Sequence, residues 1–198
     1  MKSEKYQYLE SLNDYEQRGL LTEVNIVKWL RDVVRKGKDR VKSQFMKAGN
    51  FYNFQYKSKL YEEKRLPYYD ANPLILSIGN SQQYGSKYLL GLNTNYLPVR
   101  QKKRLIKRLQ DRYPEQWDEN KTLPNITWDN IKKEIDYNET MIKMYIKGRI
   151  TDPVKVKNTD MEAMAKMDIS RFIGIDVKQV WKDYKNKTSP TTRVNKKV

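Results

Sequence analysis

Lys47-Ala-Gly-Asn-Phe-Tyr-Asn-Phe-Gln-Tyr56 carries the reading of the fold. Phe51, Asn53 and Gln55 alternate with Tyr52, Phe54 and Tyr56, a period of two that places three aromatic rings on one face of a β-strand. Further on, the proline after Leu66 holds the start of Leu66-Pro-Tyr-Tyr-Asp70 extended. Leu74-Ile-Leu-Ser-Ile78 reads as a buried strand, Gly79-Asn-Ser81 as a turn, and Lys87-Tyr-Leu-Leu-Gly-Leu92 as the antiparallel successor. Pro153-Val-Lys-Val-Lys157 is a candidate edge strand. The expected fold is α+β: a small antiparallel sheet or partly closed barrel over about residues 50–97, with 153–157 as a candidate further strand, packed with several helices.

Helical patterns flank these strands. Residues 4–18 have apolar positions at Tyr8, Leu12 and Tyr15, and Thr22 can cap a longer helix over about 23–47, interrupted at Gly37. The polar face of that second helix carries Arg35, Lys36, Lys38, Arg40 and Lys42. After the sheet, Arg100 to Tyr113 reads as a helix stopped by Pro114, with Leu105, Ile106 and Leu109 as its few apolar positions. Its cations are Arg100, Lys102, Lys103, Arg104, Lys107 and Arg108. Two small helices are expected over about 128–135 and 139–147. Thr159 and Glu162 have capping-box spacing before a short helix in which Met161, Met164 and Met167 are core filler, and a last helix runs from Asp176 to Lys185.

Composition narrows the chemistry. The 198 residues include 40 Lys and Arg against 24 Asp and Glu, a formal charge of +16 that favours a polyanionic partner. Cys and His are both absent, which excludes disulfides, a thiolate or Ser-His nucleophile and a zinc site built on those ligands. No glycine-rich phosphate loop occurs. One nuclease-like pattern exists, Asp39 upstream of Glu62-Glu63-Lys64, but such chemistry needs its acids on adjacent strand ends, and these fall in an expected helix and an expected turn. Asp70 reads as an Asx-type turn or a cap on the Ala71-Asn72-Pro73 bend, and Tyr68 and Tyr69 as packing residues. The basic helices read either as phosphate-contacting surfaces or as solvated faces. No apolar run approaches membrane-spanning length and the start lacks a signal-peptide core, so an intracellular or intraviral protein without membrane contact is expected.

Within residues 47–108 the chain resembles a family of tailed-phage structural proteins, the DNA end protector or head-completion type of large myovirus-like phages. The residues that carry the likeness are Gly49, Tyr52, Leu66, Pro67, Tyr68, Tyr69, Asp70, Gly91, Asn93 and Tyr96, with a weaker patch at Phe172-Ile-Gly174 and Val180-Trp181. The resemblance implies a non-catalytic component of the virion, present in the host cytoplasm during assembly. Its expected partners are double-stranded phage DNA and other virion proteins of the portal, head or neck, with room for an oligomer and with no cofactor, metal or small-molecule substrate. The alternative is a neck, tail or baseplate subunit with protein partners alone. The expected organisation is a basic helical extension over 1–48, an α+β core over 49–185 and a disordered basic tail over 186–198.

Overall fold

The computed structural model describes residues 41–81, 85–131, 141–166 and 169–186. Its strands are β1 (Phe51–Tyr56), β2 (Tyr69–Asp70), β3 (Leu74–Ser81), β4 (Gly85–Asn93), β5 (Ile142–Ile146), β6 (Ile150–Val156) and β7 (Phe172–Ile173). Its helices are α1 (Lys59–Glu62), α2 (Val99–Arg112), α3 (Pro114–Asp118), α4 (Trp128–Ile131), α5 (Met161–Lys166) and α6 (Val177–Lys185). Five strands form an antiparallel sheet in the order β5-β4-β3-β1-β6, and β2 pairs with β7 in a small second sheet. The fold is α+β, as the alternation in β1 implies, and residues 153–156 do return as part of an edge strand.

The sheet is open, yet its connectivity forces a curl. β5 and β6 occupy opposite edges but are joined by the 3-10 turn Lys147–Arg149 alone. Such a link spans at most about 14 Å, whereas the edges of a flat five-stranded sheet lie about 19 Å apart. The edges must therefore bend toward each other. Segment 56–62, leaving β1, lies against the linking turn: the Ile146 N–H donates to the Tyr56 hydroxyl at 3.4 Å, and Arg149 pairs with Glu62 at 2.6 Å.

The two faces of the sheet bury separate cores. Phe51, Leu74, Leu76, Leu92 and Val156 face Leu105, Ile106 and Leu109 of α2, with Trp117, Met161 and Met164 filling the remainder. Burial of the three α2 residues contributes about 2 kcal/mol apiece, which a 14-residue helix with seven basic side chains needs in order to form. The other face holds Met46, Tyr52, Phe54, Ile75, Leu89, Tyr145 and Ile150, with Phe54, Tyr56 and Tyr145 in edge-to-face contact. The period of two in β1 thus feeds both cores.

Several local expectations fail for tertiary reasons. Gly79-Asn-Ser81 is strand, not turn; a register shift between Ser77 and Gly79 keeps β3 paired with β4 as far as Ser81 opposite Gly85. Residues 142–146, expected in a helix over 139–147, form β5 because its backbone pairs along β4 from Leu92 to Tyr88. The expected helix over 23–47 does not reach its end: residues 43–45 are a 3-10 turn, and Val41 N–H bonds to the Pro153 carbonyl at 3.0 Å. Its earlier part, the helix over 4–18, the tail from 187 and Met167 lie outside the described residues. Thr159 gives its hydroxyl to the Asn120 side chain at 3.1 Å, away from α5. No helix among the described residues is long and apolar enough to cross a membrane.

Candidate nucleic-acid interface

The α2 sequence sorts its cations by face. With 100° between residues, Lys102, Leu105, Ile106 and Leu109 share one side and are all buried. Arg100, Lys103, Arg104 and Lys107 fall on the opposite side and are exposed, with Arg108 half-buried on the flank. From Arg100 to Lys107 this stripe runs about 10 Å along the axis. The acid on that side, Asp111, is paired with Lys107 at 2.8 Å in an exposed i,i+4 bridge, which raises the Lys107 pKa. The first turn has no acidic residue and Pro98 provides no side-chain cap, so the positive end of the helix dipole adds to the same surface.

Lys102 is a correction. It is 1% exposed, and its ammonium lies 3.4 Å from the Asn95 side-chain oxygen, so it faces the core and is not on the surface offered to phosphate. It belongs to a buried polar knot centred on Asp70. The Asp70 carboxylate accepts four hydrogen bonds: Oδ1 from the backbone N–H groups of Asn72 (2.9 Å) and Arg171 (3.1 Å), Oδ2 from the side-chain amides of Asn93 (3.0 Å) and Asn95 (2.8 Å). The first of these is the expected Asx-type turn. Burial pushes the Asp70 carboxyl above the usual aspartate value, and the four donors oppose that rise. Asn95 also accepts at its backbone carbonyl from the Trp181 indole N–H at 3.2 Å. The knot therefore ties β2, the end of β4, α2 and α6 together, and it sets how α2 sits on the sheet.

The same knot unites the two patches of sequence singled out above. Tyr69 and Asp70 pair with Ile173 and Phe172, and Tyr68 packs its ring 6.4 Å from Tyr96. Gly91 is small because Ile75 fills the space above it, where a Cβ would meet the isoleucine at 2.6 Å. The Tyr52 hydroxyl accepts from the Lys47 N–H at 2.9 Å. Leu66 and Pro67 are half-buried beside the small sheet. Asn95 escaped the sequence reading although it lies two residues from Asn93; its signal was a pair of amides flanking a threonine immediately after a buried strand.

A cleft of about 280 Å³ opens along β5 between that edge strand and segment 58–69. Lys143 is half-buried in it, with its ammonium 4.3 Å from the centre of the Tyr96 ring. Among the described residues no carboxylate pairs with it, and burial alone lowers its pKa to about 8. Neither Lys143 nor the cleft was foreseen, because residues 139–147 were read as helix. A lysine whose folded pKa is lowered binds protons less readily than the unfolded chain between about pH 8 and 10.5, so stability rises across that window. Lys143→Met is accordingly expected to stabilise the protein by about 1–2 kcal/mol at pH 7, after partial solvent access and the lost ring contact are discounted. The gain should fade by about pH 10, and urea unfolding at both pH values checks it.

The remaining expected residues are placed as follows. Lys42 is exposed, and Arg35, Lys36, Lys38 and Arg40 lie outside the described residues. Asp39 lies outside them too, while Glu62 is paired with Arg149 and Lys57 and Glu63 with Lys59 and Arg65. Among the described residues no three acidic side chains gather where they could hold a metal ion.

A family model described as Phage T4 terminal DNA protecting protein matches residues 9–184. The match takes in most of the N-terminal segment that was set apart as an extension. Comparison with curated proteins and with solved structures gave no match.

Proposed function

Because the chain belongs to the family of the phage T4 terminal DNA protecting protein, we propose that it covers the ends of phage double-stranded DNA without catalysis, gripping the backbone through the exposed face of α2. The observation that carries this reading is the separation on α2 itself: Arg100, Lys103, Arg104 and Lys107 outward, and apolar residues with Lys102 inward. Such a stripe meets successive phosphates without reading bases, which suits a protein that must act on any terminus. Lys42, Arg35, Lys36, Lys38 and Arg40 supply further phosphate contacts. Arg108 contributes from the flank.

The protein acts in the virion, and in host cytoplasm during assembly, with portal, head or neck proteins as its neighbours. Neutral replacement of Arg100, Lys103, Arg104 and Lys107 by glutamine is expected to weaken duplex binding by about 100-fold at moderate salt. The slope of log affinity against log salt should fall by about 3.6, close to one per phosphate contact removed. Fluorescence anisotropy over a salt series measures both quantities. An unchanged slope would assign the α2 face to a protein neighbour, as in a neck or tail subunit.

A further inference from the structure

We propose that the cleft beside β5 takes one unpaired nucleotide from the DNA terminus, with its phosphate on the Lys143 ammonium and its base among the tyrosines. The proposal rests on the DNA-end reading above and specifies how an end is told from the interior of a duplex.

Two unfilled donors point to an anionic, oxygen-bearing ligand. The first is Lys143, half-buried in the cleft, in contact with the Tyr96 ring on one side and without a carboxylate partner among the described residues. The second is Tyr145, two positions along the same strand, buried with its hydroxyl beside Asn93 and lacking a hydrogen bond of acceptable geometry. Alternate strand residues share a face, and both residues line the cleft. A buried polar group left unmatched destabilises the fold. Two in one cleft, one of them a cation, suit a site completed by its ligand.

The shape of the cleft limits what enters. At about 280 Å³ it sits near the lower end for small-ligand pockets, enough for a single nucleotide and too small for a base pair. Tyr56, Tyr69 and Tyr88 contribute aromatic surface to the lining, and the rim carries two of the large apolar side chains that stand exposed, Leu60 at 39% and Met144 at 42%. A flat base stacks on such surfaces regardless of its identity. Inside a duplex, a base must break its pair and its stack to reach such a site; at a terminus that cost is least. The cleft therefore discriminates ends by the ease of unstacking, while α2 grips the neighbouring backbone.

The test compares two DNAs of one sequence: a hairpin ending in a 5′-phosphorylated one-nucleotide overhang, and a covalently closed dumbbell. Full-length wild type, Lys143→Met, Lys143→Arg and Tyr145→Phe are titrated by anisotropy, with circular dichroism confirming that each is folded. Wild type is expected to prefer the open end by about 10-fold or more. Lys143→Met should bring the ratio of open to closed affinity close to one, Lys143→Arg should keep most of it, and Tyr145→Phe should lower it a few-fold. A ratio in Lys143→Met equal to that of wild type overturns the proposal, as does a wild type with no preference. Competition by free thymidine monophosphate at concentrations matching the hairpin affinity would also overturn it, by making the cleft a site for free nucleotide. Failure of the α2 reading is seen separately, as unchanged dumbbell binding when the four α2 cations are replaced.

Discussion

Gly49→Ala is expected to cost about 4 kcal/mol or more and to lower the melting temperature by at least about 8 °C. Gly49 has a φ of +78°, which an L side chain rarely adopts, and a Cβ there would run into the backbone carbonyl of Leu123. The contact cannot relax cheaply, because two backbone hydrogen bonds of 2.9 Å fix the position: Gly49 N–H to the Ser77 carbonyl and Leu123 N–H to the Gly49 carbonyl. These bonds hold the start of β1 between β3 and the loop that brings Leu123 and Ile126 into the main core. Moving any of the three partners opens that core. Gly148→Ala is the matched control, since a Cβ there meets nothing within 4 Å and the residue has no positive φ. It should leave stability within about 0.5 kcal/mol of wild type. Thermal and urea unfolding of both variants decide the matter, and a Gly49→Ala protein melting within 3 °C of wild type, on the order of 1 kcal/mol, would refute the expectation.

The second large effect is expected at Asp70. Asp70→Ala leaves four donors facing an empty space, the partly buried backbone N–H groups of Asn72 and Arg171 and the buried amides of Asn93 and Asn95. With about 1–3 kcal/mol for each unmatched donor, and some relief from entering water, the loss should be about 4 kcal/mol. Asp70→Asn keeps the volume but turns an NH₂ group toward two donors, so about 2–3 kcal/mol is expected. The effect extends to binding, because Asn95 also holds Lys102 of α2 and the Trp181 indole. At a temperature where Asp70→Asn is folded, its duplex affinity should fall several-fold, although residue 70 is buried and remote from the exposed α2 face. Unchanged affinity in a folded Asp70→Asn protein would show that α2 is held by its apolar contacts alone.

Much of this architecture was legible in the chain. The period of two over Phe51–Tyr56 announces a strand with an aromatic face, and proline and glycine bound the neighbouring elements. The 3.6-residue rhythm of Leu105, Ile106 and Leu109 marks α2 and its exposed basic side. These signals are local: they depend on which residues are neighbours along the chain, and side-chain geometry repeats with the backbone. Membership in the DNA-protecting family was likewise visible in a short set of glycines, aromatics and one aspartate.

What the sequence could not express is the meeting of distant segments. Ile142-Lys-Met-Tyr-Ile146 suits helix or strand by pattern, and the free hydrogen-bonding edge of β4 decides for strand. Lys102 reads as one more cation of a basic helix, until helical phase and the Asp70–Asn95 knot turn it inward. Lys143 acquires its character from the ring of Tyr96, 47 positions away in the chain, and from an edge strand curled toward segment 58–69. Composition and periodicity by themselves determined β1, the cores of β3 and β4, the main helix and the charge, and pointed to a polyanionic partner. Tertiary structure decided what encloses Lys102 and Lys143, because burial and desolvation depend on through-space neighbours that no local pattern specifies.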